Sequence, residues 1–194
     1  MYGTWKTEVC SECKSASKPA LHAAKRGHTR CLTEAFNQSG VFNQKDEFGA
    51  TAIHFAARFG NLECLKWLVR NSRVLPNAKS MNGDTAAHDA AAMGHLDCLE
   101  YLLKSTKCSV DDTTVDGATV LHFACTFGRL EVIKWLMTNA GSTPSDKGND
   151  NITPVHLCAA KSKFRELYTV ILTEIPIVYG MTVVEKKNIH VNSL

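Results

Sequence analysis

The residue types that could support chemistry in this sequence are cysteine and histidine. Cys10 and Cys13 form a C-x-x-C pair, which is half of a common zinc-binding pattern, and His22, His28 and Cys31 follow downstream. The chain contains no second C-x-x-C pair. His22 and Cys31 also occupy positions in a repeated pattern described below, so we expect neither a metal nor a cofactor at these residues.

Four further histidines recur every 34 residues, at His54, His88, His122 and His156. Imidazoles could perform acid–base or metal chemistry if they met at one point. Equal spacing instead predicts that they are distributed along a row of similar units. We therefore expect each ring to bond to nearby loop backbone and to fix the hairpin that joins adjacent units.

Composition and motifs exclude several functional classes. Hydrophobic residues make up 44% of the 194 residues and the formal net charge is only +3, without a run of basic residues. This balance predicts a globular protein without a nucleic-acid partner or membrane insertion, and cysteines on packed helix faces predict a reduced, cytoplasmic compartment. The sequence lacks a glycine-rich phosphate loop, a G-x-S-x-G elbow and an H-E-x-x-H pair. We expect that the protein is not an enzyme.

The elements that carry these residues follow from the same 34-residue interval. Thr51 can cap a first helix, and Gly60 suits the end of that helix and the turn after it. A second helix is predicted from apolar residues at i, i+3 and i+4 spacing, as in Leu62, Leu65 and Leu68. The same columns recur in later units as Gly94, Gly128, Leu102 and Leu136. The pattern predicts an all-α chain of repeated helix-turn-helix units.

This pattern resembles the ankyrin repeat, whose signature is T-P-L-H-x-A. The resemblance implies a solenoid of about five helix-turn-helix repeats over residues 18–171, with an atypical first and last repeat. We expect residues 1–17 to form a disordered leader and residues 172–194 to form a divergent C-terminal tail. Trp67, Tyr101 and Trp135 recur in one column and are predicted to pack against the core.

A closer resemblance rests on His88-Asp89 and on the aromatic residue before the leucine column. These features are similar to the ankyrin region of espin and the insect forked proteins, which organise actin bundles. The resemblance implies a protein partner, either an unconventional myosin tail or another cytoskeletal peptide, and a location at the actin cytoskeleton or cell protrusions. The alternative is a structural array, a fragment or splice product of a larger actin-bundling protein whose active segment is missing.

Ankyrin-like stacks bind partners on the concave side, which is built from hairpin tips and first-helix ends. The predicted function is a protein-interaction module or adaptor that binds a peptide or helix in this groove. Phe59, Met93 and Phe127 are large apolar residues at positions where solvent is expected. The full predicted partner-binding set is Lys25, Arg26, Phe48, Arg58, Phe59, Met81, Asp84, Met93, Val115, Asp116, Thr126, Phe127 and Lys161.

Overall fold

The computed structural model describes residues 10–39, 44–71 and 74–160, and within these ranges it contains helices and turns but no β-strand. The helices are α1 (Ser11–Ser15), α2 (Pro19–Arg26), α3 (Thr29–Ser39), α4 (Ala52–Arg58), α5 (Leu62–Asn71), α6 (Ala86–Met93), α7 (Leu96–Ser105), α8 (Val120–Thr126), α9 (Leu130–Asn139) and α10 (Pro154–Ala160). The predicted all-α class is confirmed. None of the described helices is long and apolar enough to cross a membrane.

The helices form two layers. The first-helix layer places α2, α4, α6, α8 and α10 side by side, each in contact with the next. In the second layer, α3 contacts α5 and α5 contacts α7, while α9 packs on α8. The first helices α2, α4, α6 and α8 each also pack on the helix that follows in the chain, as predicted for a stack of helix-turn-helix units.

Small side chains allow the first helices to approach one another closely. Ala56 and Ala57 in α4 and Ala90 and Ala91 in α6 are fully buried. The leucine column fills the space between the layers, since Leu68, Leu102 and Leu136 are also fully buried. Trp67, Tyr101 and Trp135 are partly buried against this core, which confirms the packing predicted for them.

Four of the first helices, α4, α6, α8 and α10, begin after a threonine whose cap is completed by the repeated histidine. His88 Nδ1 accepts the backbone N–H of Thr85 at 3.1 Å and lies 3.0 Å from the Thr85 hydroxyl. Because a backbone N–H can only donate, Nδ1 is unprotonated and the ring carries its hydrogen on Nε2. That Nε2 donates to the carbonyl oxygen of Ala118, in the next repeat, at 3.3 Å. His54 and His122 make the same pair of contacts, so the predicted structural role is confirmed for these three histidines.

The hairpins between repeats are bonded to one another along the stack. Met81 N–H donates to the Phe48 carbonyl at 2.9 Å, and Val115 N–H donates to the Asn82 carbonyl at 2.8 Å. This approach requires glycine at Gly83, whose φ is +83° and where an added Cβ would lie 2.9 Å from the backbone nitrogen of Val115. In the last hairpin Asn151 takes the glycine position at φ 59°, a conformation that asparagine tolerates.

The N-terminal segment differs from the expectation of a disordered leader over residues 1–17. Its described part, from Cys10 onward, contains the short helix α1, which packs on α2. Cys13 is 2% exposed, and Glu12 accepts a hydrogen bond from Arg26 at 2.8 Å. Burial of Cys13 together with this ion pair orders the segment, which the repeat pattern could not reveal because α1 belongs to no repeat. The second helix predicted for the last repeat and the tail at 172–194 lie outside the described residues.

Candidate binding surface on the hairpins and first helices

Two rows of apolar side chains follow the stack on the side of the hairpins and first helices. The hairpin row consists of Phe48, Met81 and Val115, which are 60%, 72% and 68% exposed. The helix-end row consists of Phe59, Met93 and Phe127, which are 43%, 40% and 46% exposed. We call these six residues the groove face. All six were predicted from the sequence as partner-binding residues.

The groove face holds most of the large apolar side chains that are exposed in the described residues. Only Phe36, Leu75 and Ile152 are exposed to a similar extent elsewhere. Phe36 lies in the second helix α3, and Leu75 lies in the loop after α5, so neither is at a hairpin tip or at the end of a first helix. Single exposed apolar residues are ordinary, whereas rows that recur in consecutive repeats indicate a binding surface.

The hairpin row is positioned by the backbone bonds that link successive hairpins. Met81 and Val115 donate their own N–H groups to the preceding hairpin, and Phe48 supplies one of the acceptor carbonyls. Their side chains therefore project from a continuous hydrogen-bonded ribbon rather than from separate loops. Preorganised side chains lose less conformational entropy when a partner binds.

The helix-end row is supported by aromatic and cationic neighbours at the early end of the stack. The rings of Phe55 and Phe59 are stacked, with centroids 6.4 Å apart and an interplanar angle of 6°. Lys25 Nζ lies 5.3 Å from the centroid of the Phe59 ring. The Phe59 ring is thereby covered on part of its surface by an exposed cation that a partner could displace or share.

An ion pair crosses between two first helices beside this row. Arg58 Nε and Nη2 donate to Asp89 Oδ1 at 3.0 and 2.9 Å. Asp89 is only 8% exposed, and its second oxygen, Oδ2, has no hydrogen-bond partner in the part of the chain that the structure describes. Burial raises the pKa of Asp89 to about 7 although Arg58 favours the carboxylate form. The pair fixes the Arg58 guanidinium at the edge of the groove face.

The other predicted residues have different surroundings. Lys25 is exposed, Asp84 is half-buried and Asp116 is exposed at a hairpin tip, so these three can contribute charge to the surface. Arg26 is engaged by Glu12 of α1, and the Thr126 hydroxyl donates to the His122 carbonyl of its own helix at 2.8 Å. These two side chains are therefore held by contacts that the sequence did not reveal.

Lys161 lies outside the described residues. Two groups of contacts were not recognisable from the sequence pattern. Asp89, which is part of the family signature, is paired with Arg58, 31 residues earlier. His28 and Cys31 lie beside Cys10 and Cys13, and the side-chain ligand atoms of these four residues all lie within 4.8 Å of one another.

The buried repeat histidines, His54, His88 and His122, offer no free ring nitrogen for acid–base chemistry. Burial lowers the pKa of His54, His88 and His122, that of His88 to about 4, so these rings are neutral at physiological pH. Both nitrogens of each ring are already used in the caps and hairpins described above. A proton acceptor for a substrate would need a free ring nitrogen.

Comparison with known families identifies the repeats directly. Residues 20–114 match the family described as ankyrin repeats (3 copies), and residues 116–145 match the family described as an ankyrin repeat. No curated protein matches the chain. Ankyrin repeats are generally protein–protein interaction modules, and neither match is to a catalytic family. The two matches together cover more than half of the chain, which therefore belongs to the ankyrin-repeat family.

Proposed function

We propose that this chain is a protein-binding module that takes an extended or helical segment of a partner across its groove face. The observation that carries the proposal is the recurrence of two exposed apolar rows in three consecutive repeats. A helix presents apolar side chains at i, i+3, i+4 and i+7, and it could place them against successive members of these rows.

Charges beside the rows give the proposed partner a direction. Lys25 and Arg58 put positive charge near the first repeats, and Asp84 and Asp116 put negative charge further along. Complementary charges on the partner would place its acidic end against α2 and α4 and its basic end against the later hairpins. Such charges at the edge of an interface set orientation and association rate more than affinity.

The class of partner that we favour is an unconventional myosin tail or another cytoskeletal peptide. This choice rests on the resemblance of His88-Asp89 and the aromatic column to the ankyrin region of espin and forked. A location at the actin cytoskeleton or in cell protrusions accompanies the same proposal. In the structure Asp89 anchors Arg58 next to Phe55, so the His-Asp pair contributes to the proposed surface.

A double substitution tests the groove face. Phe59→Ala combined with Phe127→Ala removes the two largest side chains of the helix-end row without touching the buried core. Aromatic anchors often contribute about 2 kcal/mol or more each to binding. We therefore expect affinity for a panel of myosin-tail peptides, measured by fluorescence anisotropy, to fall about 100-fold or more.

The matched control removes exposed apolar groups that lie outside the hairpin tips and the first helices. Phe36→Ala combined with Leu75→Ala should leave peptide affinity within about twofold, since neither residue belongs to the groove face. Circular dichroism should show intact helix content in both double variants. Unchanged affinity after loss of the Phe59 and Phe127 side chains would refute the groove face as the binding surface. Failure of every myosin-tail peptide to bind the stably folded chain would instead favour the structural-array alternative.

A further inference from the structure

A cluster of metal-binding side chains lies at the N-terminal end of the stack, away from the groove face. Cys10 is the N-cap of α1 and Cys13 lies within α1, whereas His28 is in the turn after α2 and Cys31 lies in α3. In sequence they form two pairs with identical internal spacing, Cys10-x-x-Cys13 and His28-x-x-Cys31. Pairs of this spacing brought together from two segments are typical of structural zinc sites.

Three distances within the cluster match the edges of a zinc tetrahedron, and all four ligand atoms lie within 4.8 Å of one another. Cys10 Sγ lies 3.4 Å from His28 Nδ1, Cys13 Sγ lies 3.5 Å from the same nitrogen, and Cys10 and Cys31 Sγ are 3.7 Å apart. Zinc bonds of about 2.3 Å to sulfur and about 2.0–2.1 Å to nitrogen in tetrahedral geometry imply sulfur–sulfur edges of about 3.8 Å and sulfur–nitrogen edges of about 3.5 Å.

Neither disulfide bonding nor ordinary core packing explains this arrangement. All eight cysteines are free thiols, and 3.7 Å between Cys10 and Cys31 is far beyond a sulfur–sulfur bond. Cys64 and Cys98 occupy the same repeat column as Cys31 and are buried. Neither joins a group of potential metal ligands in the described residues. Cys31 therefore differs from the other cysteines of its column, because other potential metal ligands surround its sulfur.

The described residues contain one other group of potential metal ligands, and its side chains are occupied by hydrogen bonds and an ion pair within the protein. His54, Asp84 and Asp89 also approach one another. However, both ring nitrogens of His54 are engaged in the cap and hairpin, and Asp89 is paired with Arg58. In the N-terminal cluster the polar contacts of the three sulfurs are almost all with one another and with His28, apart from the Cys13 N–H that donates to Cys10 Sγ at 3.4 Å. A backbone N–H directed at a sulfur favours its thiolate form.

We propose that Cys10, Cys13, His28 and Cys31 bind one zinc ion in a closed tetrahedral site that fastens α1 across the N-terminal end of the ankyrin stack. Three thiolates and a neutral imidazole are ligands that favour zinc in tetrahedral geometry, and binding releases the three thiol protons to solvent. Four protein ligands leave no position for substrate, so the site is structural.

The location explains why the first repeat would need such a site. The end of a solenoid has no neighbouring repeat to cover its core, and terminal units of repeat proteins carry special capping features. Here α1 buries Cys13 against the first repeat and supplies Glu12 to Arg26. A helix of five residues is too short to be stable by itself, so a metal bond to two of its residues would hold it in place.

Metal content of the 194-residue chain, purified under reducing conditions, tests the proposal. Elemental mass spectrometry of the wild type should find about one zinc per chain. Cys10→Ser combined with Cys13→Ser should lower this at least tenfold. Cys108→Ser is the matched control, because Cys108 is a buried thiol outside the cluster that donates to the Pro76 carbonyl, a bond that serine can keep. It should retain full zinc content.

A second pair of variants and a cobalt spectrum distinguish the loss of a zinc ligand from a loss of zinc that is caused by misfolding. His28→Cys should retain about one zinc, whereas His28→Ala should lose most of it. Replacing zinc by cobalt should give the intense visible absorption of tetrahedral thiolate-bound cobalt. A strong chelator should lower the melting temperature of the wild type but not that of the Cys10/Cys13 variant. Wild-type protein that is folded and metal-free after growth with added zinc, or full zinc content in the Cys10/Cys13 variant, would overturn the proposal.

Discussion

Replacing His88 by alanine is expected to lower the free energy of unfolding by about 4 kcal/mol. The ring is fully buried and connects the first turn of α6 to the hairpin of the next repeat. Alanine would leave the Thr85 N–H and the Ala118 carbonyl without these bonds and would create a cavity between repeats. Urea unfolding followed by circular dichroism at pH 7.5 measures the change.

The matched control is the same residue in the same motif at the end of the described stack. His156 accepts the Thr153 N–H at 3.2 Å but is exposed, so His156→Ala removes little more than a helix cap. We expect a loss of about 1 kcal/mol for this variant. If His88→Ala cost no more than His156→Ala, the contact between repeats would not contribute to stability as we infer.

The second large predicted effect is a dependence of folding stability on pH. In the wild type, a contribution of opposite sign from Asp89 offsets it. Burial lowers the pKa of His88 to about 4, against about 6.5 in an unfolded chain. Between these values the unfolded state binds more protons, so stability falls as the pH falls, by about 2 kcal/mol between pH 7.5 and pH 5. The lowered pKa values of His54 and His122 act in the same direction.

The contribution of Asp89 to the pH dependence of stability is opposite in sign to that of His88. Burial raises its pKa to about 7, so between about pH 4 and pH 7 the folded state binds more protons and acidification stabilises it. Its contribution over the same interval is about 2–3 kcal/mol and offsets that of His88. Asp89→Asn removes the offset, so stability of this variant should fall by about 2 kcal/mol more than that of the wild type between pH 7.5 and pH 5.

Chemical denaturation at the two pH values checks this difference. Asp116→Asn changes an exposed carboxylate and should leave the wild-type dependence unaltered. Parallel pH profiles for Asp89→Asn and wild type would show that Asp89 is ionised in the folded state like an ordinary surface carboxylate. The pKa of Asp89 would then not be raised, because the attraction of Arg58 for the carboxylate would outweigh the effect of burial.

The repeat made most of the fold predictable because every repeated column reports on the same environment. Threonine before each first helix predicted the cap, and the recurrence of histidine at 34 residues predicted that the histidines are spread along the stack. Exposure of Phe59, Met93 and Phe127 was predicted in the same way, since a large apolar residue recurs where solvent is expected. Local patterns suffice when neighbouring units are alike.

What the sequence did not reveal depends on contacts that occur once. The ion pair between Glu12 and Arg26 and the burial of Cys13 require α1 to fold back on the first repeat. That arrangement cannot be predicted from the repeated columns, because α1 belongs to no repeat. His28-x-x-Cys31 was not recognised as a second ligand pair because it contains only one cysteine. Asp89 is similar, because its partner Arg58 belongs to another repeat and to another column.

Site-specific photocrosslinking in cells tests most directly which face of the stack is the working surface. A benzophenone amino acid would replace Phe48 or Met93 on the groove face, and Arg70 or Thr138, which are exposed on second helices, would serve as comparison positions. The account predicts discrete protein adducts from Phe48 and Met93 and few from Arg70 and Thr138. Adducts formed mainly at Arg70 and Thr138 would contradict it.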